Sequence, residues 1–539
     1  MKKLIVLTAA CVLAGVAGAN VRLAPVFGDK MVLQRETPVR VWGLADPRET
    51  VTVLFADQKK TVKADDDGTW KVELDPMPAS KEGRTLTVSG TKPDGAHWAN
   101  GFGLWEAKNA TNEQKIEDVL VGEVWFCAGQ SNTDCPIWGN SPRYRDGQGA
   151  MTLQMTKRPL VRLVKTPLVW SETPKLDVQA TWMEMDPALF QDFKRGMRMP
   201  SAMGYYFALE LYGALEIPVG LVDSSWGGTG IDAWTPASGT ATRPDLKDMA
   251  ELPVLDAAAF KKAREKGGAY CGKGIFGGPQ QQPTALWNGM VAAYAPMAIR
   301  GFIWYQGCHN SGEHERYCSK MHALYNGWSK EFQNPSLKLY FAQLAPWGNA
   351  GIARIQEAQA QFDAEEPNAG MAVINDVGNL ADIHPNDKRT VAKRLAIHAL
   401  RRDYGYDSLR DNSPTLKGWK IEGDKFRLAF NDAEGWYVYN PDRSVQTGFE
   451  IAGPDGKFVP AKIENLVYGK GRDGKPKCDG NIQGAELVVS ADGVAEPKKL
   501  RYLYSNPWFG CVYNESALPL GAFHTVAQNI IEIVELFVS

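Results

Sequence analysis

The sequence predicts an α/β fold, a mostly parallel sheet with helices between its strands, flanked by N-terminal and C-terminal β-rich domains. Three observations predict it. Between about 113 and 405, apolar runs at 124–128, 219–223, 299–305, 337–344 and 371–376 alternate with helical patterns at 201–215, 352–362 and 387–404. Strands alternating with helices imply parallel strands joined by crossovers. Before this region, and again after it, the texture changes to short alternating strands broken by Gly, Asp, Pro and Asn turns.

Taken in order, 39–43, 50–54, 70–74 and 84–89 alternate apolar and polar residues, with Asp65-Asp66-Asp67-Gly68 as a turn. Such spacing suggests a sandwich over 20–112. The α/β domain is placed at 113–409, with residues 240–285, weakly periodic, as an insertion near the site. Strands at 426–430, 486–490 and 500–504 mark a C-terminal β domain over 410–539.

The chain has 539 residues, 44% hydrophobic and 23% charged, with a net charge of -2. That is an ordinary globular balance, and it excludes a basic nucleic-acid-binding surface as the dominant theme. Residues 1–19 read as a signal peptide: Lys2 and Lys3, an apolar run at 4–16, then Ala17-Gly18-Ala19 at the cleavage site. The run is short for a bilayer core of about 30 Å. The expectation is export to the periplasm or beyond, with no membrane span. The oligomeric state is left open.

Of eight cysteines, Cys11 leaves with the signal. Seven remain, an odd number, so at least one thiol is unpaired in an exported chain, and spacing assigns no pairs. Cys308-His309 with His314 and Cys318 comes nearest to a metal-ligand cluster, but its spacing is not that of a zinc site. No metal is expected.

The chemistry concentrates at strand ends. The run 124–128 stops at Ala128, and Gly129-Gln130-Ser131-Asn132 follows. A serine there stands at the carboxyl edge of the sheet, where such folds bind ligands. Ser131 is the candidate nucleophile, which needs a base to take its proton. His384 is the candidate base, in a loop between a strand and a long helix, its geometry restricted by Pro385. Asp382 is the preferred third member, holding the Nδ1 proton; Asp376, or a Ser-His dyad, is the alternative. An oxyanion hole needs donors aimed at developing negative charge. The Ser131 N–H, the Gly228 N–H and the Asn310 amide are the candidates. Gln130, Asn132, Trp226 and Gln306 are candidate substrate-binding residues. Trp125, Trp138, Trp226, Trp234, Trp304 and Tyr305 crowd these motifs, and aromatic faces suit sugar C–H groups.

Gly129-Gln130-Ser131-Asn132, Ser225-Trp226-Gly227-Gly228-Thr229, Trp304-Tyr305-Gln306-Gly307 with Asn310, and Asp382-Ile383-His384-Pro385 follow in that order. As a set they resemble the Ser-Gly-Asn-His (SGNH) hydrolase superfamily. More narrowly, with the opening Val21-Arg22-Leu23-Ala24-Pro25-Val26-Phe27, the chain resembles the sialate O-acetylesterase family of carbohydrate esterases over nearly its whole mature length. The resemblance implies an SGNH-type, flavodoxin-like three-layer sandwich. It also implies hydrolysis of O-acetyl esters on sugars through an acetyl-serine intermediate, with no metal or organic cofactor. O-acetylated sialic acids are the first expectation for substrate. Acetylated xylan or xyloglucan, and a non-catalytic carbohydrate-binding protein of the same fold, are the alternatives. Two positions depart from the family pattern. Thr133-Asp134 stands where Met-Glu is usual, and Cys308-His309 where Glu-Ser is usual.

Overall fold

The computed structural model describes residues 21–91, 113–137, 157–179, 181–186, 199–265, 277–348, 350–378, 382–439, 447–470, 472, 476–504 and 509–525. The expected signal peptide at 1–19, Trp138 and Cys271 lie outside the described residues.

The N-terminal strands form where the sequence alternates. They are β1 (Arg22–Leu23), β2 (Val32–Gln34), β3 (Val39–Leu44), β4 (Thr50–Phe55), β5 (Gln58–Lys63), β6 (Thr69–Leu74) and β7 (Ser80–Thr91). In β6 Trp70, Val72 and Leu74 point inward while their neighbours face solvent, the period-2 signature of a half-buried strand. Strands β1, β3 and β6 make one antiparallel sheet. Strand β4 pairs antiparallel with β5 and β7.

The next strand, β8 (Glu113–Gly129), joins the two kinds of architecture. Its first residues run antiparallel to β7, and Leu120 to Gly122 lie parallel to β2. Its last seven residues then become the middle of a parallel sheet. Every residue from Val119 to Gly129 is buried, as expected where helices cover both faces. The sheet order is β10-β9-β11-β8-β12-β13-β14, with β9 (Arg158–Lys165), β10 (Met183–Met185), β11 (Val219–Ser225), β12 (Gly301–Tyr305), β13 (Lys338–Ala342) and β14 (Ala369–Ala372). All pairs are parallel except the edge strand β10. From β8 the chain builds β9 and β11 on one side, then β12 to β14 on the other. The carboxyl ends of β8, β11 and β12 therefore meet where the strand order reverses, which is where open α/β sheets bind ligands.

Helices pack on both faces. These are α1 (Ser131–Asp134), α2 (Ala202–Leu215), α3 (His314–Glu331), α4 (Ala350–Glu365) and α5 (Lys388–Tyr404). Successive β8 side chains point oppositely. Trp125 meets Phe207 of α2 edge-on at 5.1 Å and donates to the Tyr404 hydroxyl of α5 at 3.1 Å. Phe126 meets Trp328 of α3 at 5.1 Å, and Phe302 stacks on the same indole at 4.5 Å. The Ser201 side chain caps α2 by accepting from Gly204 N–H, and Asp387 caps α5 by accepting from Thr390 N–H.

One hydrophobic core runs from Val21 to Leu400 and a second from Trp419 to Ala522. The second is enclosed by three antiparallel four-stranded sheets that include Lys425–Asn431, Glu486–Ser490 and Lys499–Tyr502. Neither β9 nor α3 was marked by periodicity, because Arg and Lys interrupt the first and charged residues and histidines the second. The segment 240–285 holds short helical turns such as Lys247–Ala250 and Ala257–Glu265. Asp376 lies beyond the end of β14 rather than in a strand over 371–376. Cys127, Cys135, Cys308, Cys318, Cys478 and Cys511 carry thiols and not disulfides. No helix among the described residues is long and apolar enough to cross a membrane.

Candidate active site

Strand β8 ends at Gly129, whose φ is +140°. A Cβ there would lie 2.5 Å from both the Tyr305 carbonyl oxygen and Thr133 Oγ1, so the sharp turn into α1 needs glycine. The turn leaves Ser131 at the start of α1, partly exposed. Its Oγ is 3.0 Å from His384 Nε2, and His384 Nδ1 is 2.8 Å from Asp382 Oδ1. A carboxylate can only accept, so Nδ1 carries the proton and the Nε2 lone pair faces the serine hydroxyl. This arrangement allows an imidazole to take a hydroxyl proton while a carboxylate stabilises the imidazolium.

Of the two aspartates, Asp382 meets His384 and Asp376 does not. Asp376 pairs bidentately with Arg394 of α5 at 2.6 and 2.7 Å. Asp382 Oδ1 also accepts from the His384 backbone N–H at 3.0 Å, so one oxygen fixes both the ring and the main chain.

The glycine block follows β11. Trp226 N–H donates to the Gly129 carbonyl at 3.1 Å, joining this turn to the serine turn. A Cβ on Gly227 would lie 3.4 Å from Ser131 Cβ. Gly228 has φ +74°, and its carbonyl accepts from Gln281 Nε2 at 2.6 Å.

The third block sits deeper. Gln130 Oε1 accepts from the Gly307 and His309 N–H groups at 3.2 and 3.3 Å. Gln306 Nε2 donates to Thr229 O at 3.1 Å and to Asn310 Oδ1 at 2.7 Å. Asn310 Oδ1 also accepts from Ile231 N–H, and Nδ2 donates to Asp232 at 3.2 Å and Glu313 at 2.6 Å. Lys320, 2% exposed, closes the cluster with bonds of 2.9 Å to Asp232 and Glu313. Burial pushes the Glu313 carboxyl up, but Lys320 and Asn310 outweigh it and hold it below the usual carboxylate range.

These contacts revise several expectations. Gln130, Asn132 and Gln306 were expected to bind substrate, but they are 4%, 1% and 0% exposed and cross-link the motifs internally. Trp226 is the member of that group with solvent-facing surface. Both Asn310 Nδ2 protons have carboxylate acceptors, so in this arrangement the amide braces the block instead of pointing at Ser131. Trp125, Trp234, Trp304 and Tyr305 are core side chains.

The departures from the family pattern are accounted for locally. Asp134 accepts from Lys165 Nζ at 3.0 Å and Ser225 Oγ at 3.1 Å, and Thr133 Oγ1 donates toward Tyr305 O at 3.1 Å. Burial pushes the Cys308 thiol up to about 12, leaving it protonated. Burial also pushes the His309 imidazole down, outweighing its attraction to Glu313 and Asp232. Cys318 joins neither of them. It lies with His322 and Glu365, where Glu365 Oε2 is 3.6 Å from Sγ and 2.8 Å from His322 Nε2.

Three buried or nearly buried lysines, Lys165, Lys320 and Lys388, hold this site together, and sequence reasoning missed all of them. One signal was available for Lys388. It is the first residue of α5, where the helix dipole disfavours a cation.

Comparison with known proteins bears on what such a site does. The family model "Carbohydrate esterase, sialic acid-specific acetylesterase" matches residues 272–401. The sialate O-acetylesterase of Homo sapiens is 28% identical over 485 residues, covering 84% of each chain. That of Rattus norvegicus is 28% identical over 446 residues, 75% of this chain and 77% of the relative. The crystal structure of a carbohydrate acetylesterase from Xanthomonas citri superposes with a TM-score of 0.73 at 29% identity, covering 94% of this chain and 99% of that one. Residues 272–401 thus match the sialic acid-specific acetylesterase family of carbohydrate esterases, the chain is similar to sialate O-acetylesterases and to a carbohydrate acetylesterase over most of its length, and it is a carboxylic ester hydrolase.

Proposed function

We propose that the protein is an exported carbohydrate O-acetylesterase that removes acetyl groups from O-acetylated sialic acids by serine catalysis. The observation that carries this reading is the continuous Ser131–His384–Asp382 hydrogen-bond chain at the carboxyl edge of the sheet. The relatives named for sialate esters support the substrate, and the N-terminal pattern at 1–19 supports export.

In the proposed reaction His384 Nε2 takes the Ser131 proton as Oγ attacks the acetyl carbonyl. The Ser131 and Gly228 N–H groups receive the oxyanion. The C–O bond to the sugar breaks, and the imidazolium returns its proton to the departing sugar oxygen. Water, deprotonated by the same imidazole, then attacks the acetyl-serine, the bond from the acyl carbon to Oγ breaks, and the imidazolium returns its proton to Ser131 as acetate leaves. Asp382 stabilises the imidazolium in both steps. Trp226 offers its exposed face to the sugar ring.

The test is acetate release by the purified protein and its Ser131→Ala variant, from an aryl acetate and from 9-O-acetylated sialic acid. Release from both, abolished by the substitution, is the expected result. Cleavage of the aryl ester alone would move the substrate to acetylated hemicellulose. Release that persists in Ser131→Ala would remove the serine mechanism.

A further inference from the structure

We propose that Lys388 is a positioning residue for the Ser131–His384 pair and that it acts through the side chain of Asn132. The inference rests on the reading of Ser131 as nucleophile and His384 as base.

Lys388 is 0% exposed. Its ammonium donates to Asn132 Oδ1 at 2.6 Å and lies 5.5 Å from the centre of the Tyr305 ring. Asn132 follows Ser131 directly, and its Nδ2 donates to the carbonyl of Ile383 at 3.0 Å. Ile383 stands between Asp382 and His384. One amide side chain therefore ties the serine turn to the histidine loop, and Lys388 ties that amide to the first turn of α5.

The two ends of an asparagine amide are nearly the same size but opposite in hydrogen bonding. An ammonium can only donate, and a peptide carbonyl can only accept. With Lys388 on one side and Ile383 O on the other, a single orientation of Asn132 satisfies both. Without the ammonium the amide is free to turn over. Its oxygen would then face the Ile383 carbonyl, two acceptors in contact, and push the His384 loop away from Ser131. The cation also polarises the amide it holds, strengthening the bond from Nδ2. Burying an ammonium is costly, and the first turn of a helix is an unfavourable place for one. A methionine would fill the same space without either cost, so the charge itself points to a role.

The experiment follows acetate release from an aryl acetate by the full chain, its Ser131→Ala variant, Lys388→Met, Asn132→Ala and the double variant. Lys388→Met is expected to lower kcat about 10²-fold with KM within about twofold, the signature of misplaced but still reachable groups. The double variant is expected to match the weaker single variant, because both substitutions break one device. A folded Lys388→Met enzyme with the wild-type kcat would overturn the proposal, and so would a double variant whose loss is the product of the single losses. Should Lys388→Met fail to fold, Asn132→Asp decides. It keeps the bond to Lys388 but sets a carboxylate oxygen against Ile383 O, so a comparable loss is expected and full activity would overturn the proposal. Absence of Ser131-dependent release by the wild-type protein would instead overturn the serine-esterase reading.

Discussion

Replacing Asp382 by asparagine isolates the charge of the proposed triad from its geometry. Both bonds from His384, one from the backbone N–H at 3.0 Å and one from Nδ1–H at 2.8 Å, end on the same oxygen, Oδ1. An asparagine can leave its carbonyl oxygen there, so the ring keeps its tautomer and direction. What is lost is the negative charge opposite the imidazolium. Two unit charges about 4 Å apart interact by about 4 kcal/mol near a protein surface and about 1 kcal/mol in water. The His384 and Asp382 side chains are 13% and 21% exposed, which places the loss at about 2–3 kcal/mol. At 1.36 kcal/mol per tenfold, kcat falls about 30- to 150-fold. Asp382→Ala also removes the acceptor that orients the ring, and it should fall further, to about 10³–10⁴-fold. Steady-state acetate release from an aryl acetate, with thermal unfolding of each variant, measures this. An Asp382→Asn enzyme that is folded and retains more than a third of wild-type kcat would refute the reasoning and leave a Ser-His dyad.

Three further outcomes follow from the same contacts. Asp376→Asn strands the nearly buried Arg394 and should cost about 2–4 kcal/mol in urea unfolding while leaving kcat within about twofold, the reverse of the Asp382 pattern. Trp226→Ala should raise KM for a sugar acetate about 5- to 30-fold, roughly 1–2 kcal/mol of lost ring contact, with a smaller change in kcat; an unchanged KM would take the indole out of the sugar site. Burial pushes the Asp411 carboxyl up, but His398, Arg402 and Arg401 outweigh it and hold it well below the usual range. Such a group stabilises the fold above its unfolded pKa of about 3.9 and loses that contribution as pH falls toward the lower folded value. Asp411→Asn should therefore cost about 3–5 kcal/mol at pH 7, and the gap to wild type should narrow below about pH 4 in urea titrations at the two pH values.

Much of the α/β core was legible from local pattern. The apolar runs ending at Ala128, Asp223 and Tyr305 are strands that close on the site, and the caps Ser201 and Asp387 begin the helices expected after them. These features are written in neighbouring residues, so a short window of sequence contains the physics. Two charged elements, β9 and α3, were not legible. In β9 Arg162 is buried because Asp118 and the Lys30 carbonyl meet it from distant segments. In α3 Lys320 is buried because Asp232 meets it from a distant segment and Glu313 from just before the helix. A charge reads as solvent-facing until its partner is known.

The site divides along the same line. Residue order alone selected Ser131 and His384, because a nucleophile after one strand and a base after another are chemically distinctive even 253 positions apart. It preferred Asp382 but kept Asp376 as the alternative, because both carboxylates stand close to the same histidine in the chain. Arg394, arriving from α5, claimed one and left the other for His384. Sequence could not separate an amide that binds sugar from one that binds backbone, since Gln130, Asn132 and Gln306 offer the same donors and acceptors in either setting. Most of their partners lie on distant segments, such as Ile383 and Lys388 for Asn132 and Gly307 for Gln130, that only folding brings within hydrogen-bond distance. The types and order of the groups belong to the chain, whereas the pairing of each buried charge and amide was settled by which segments the tertiary structure packs together.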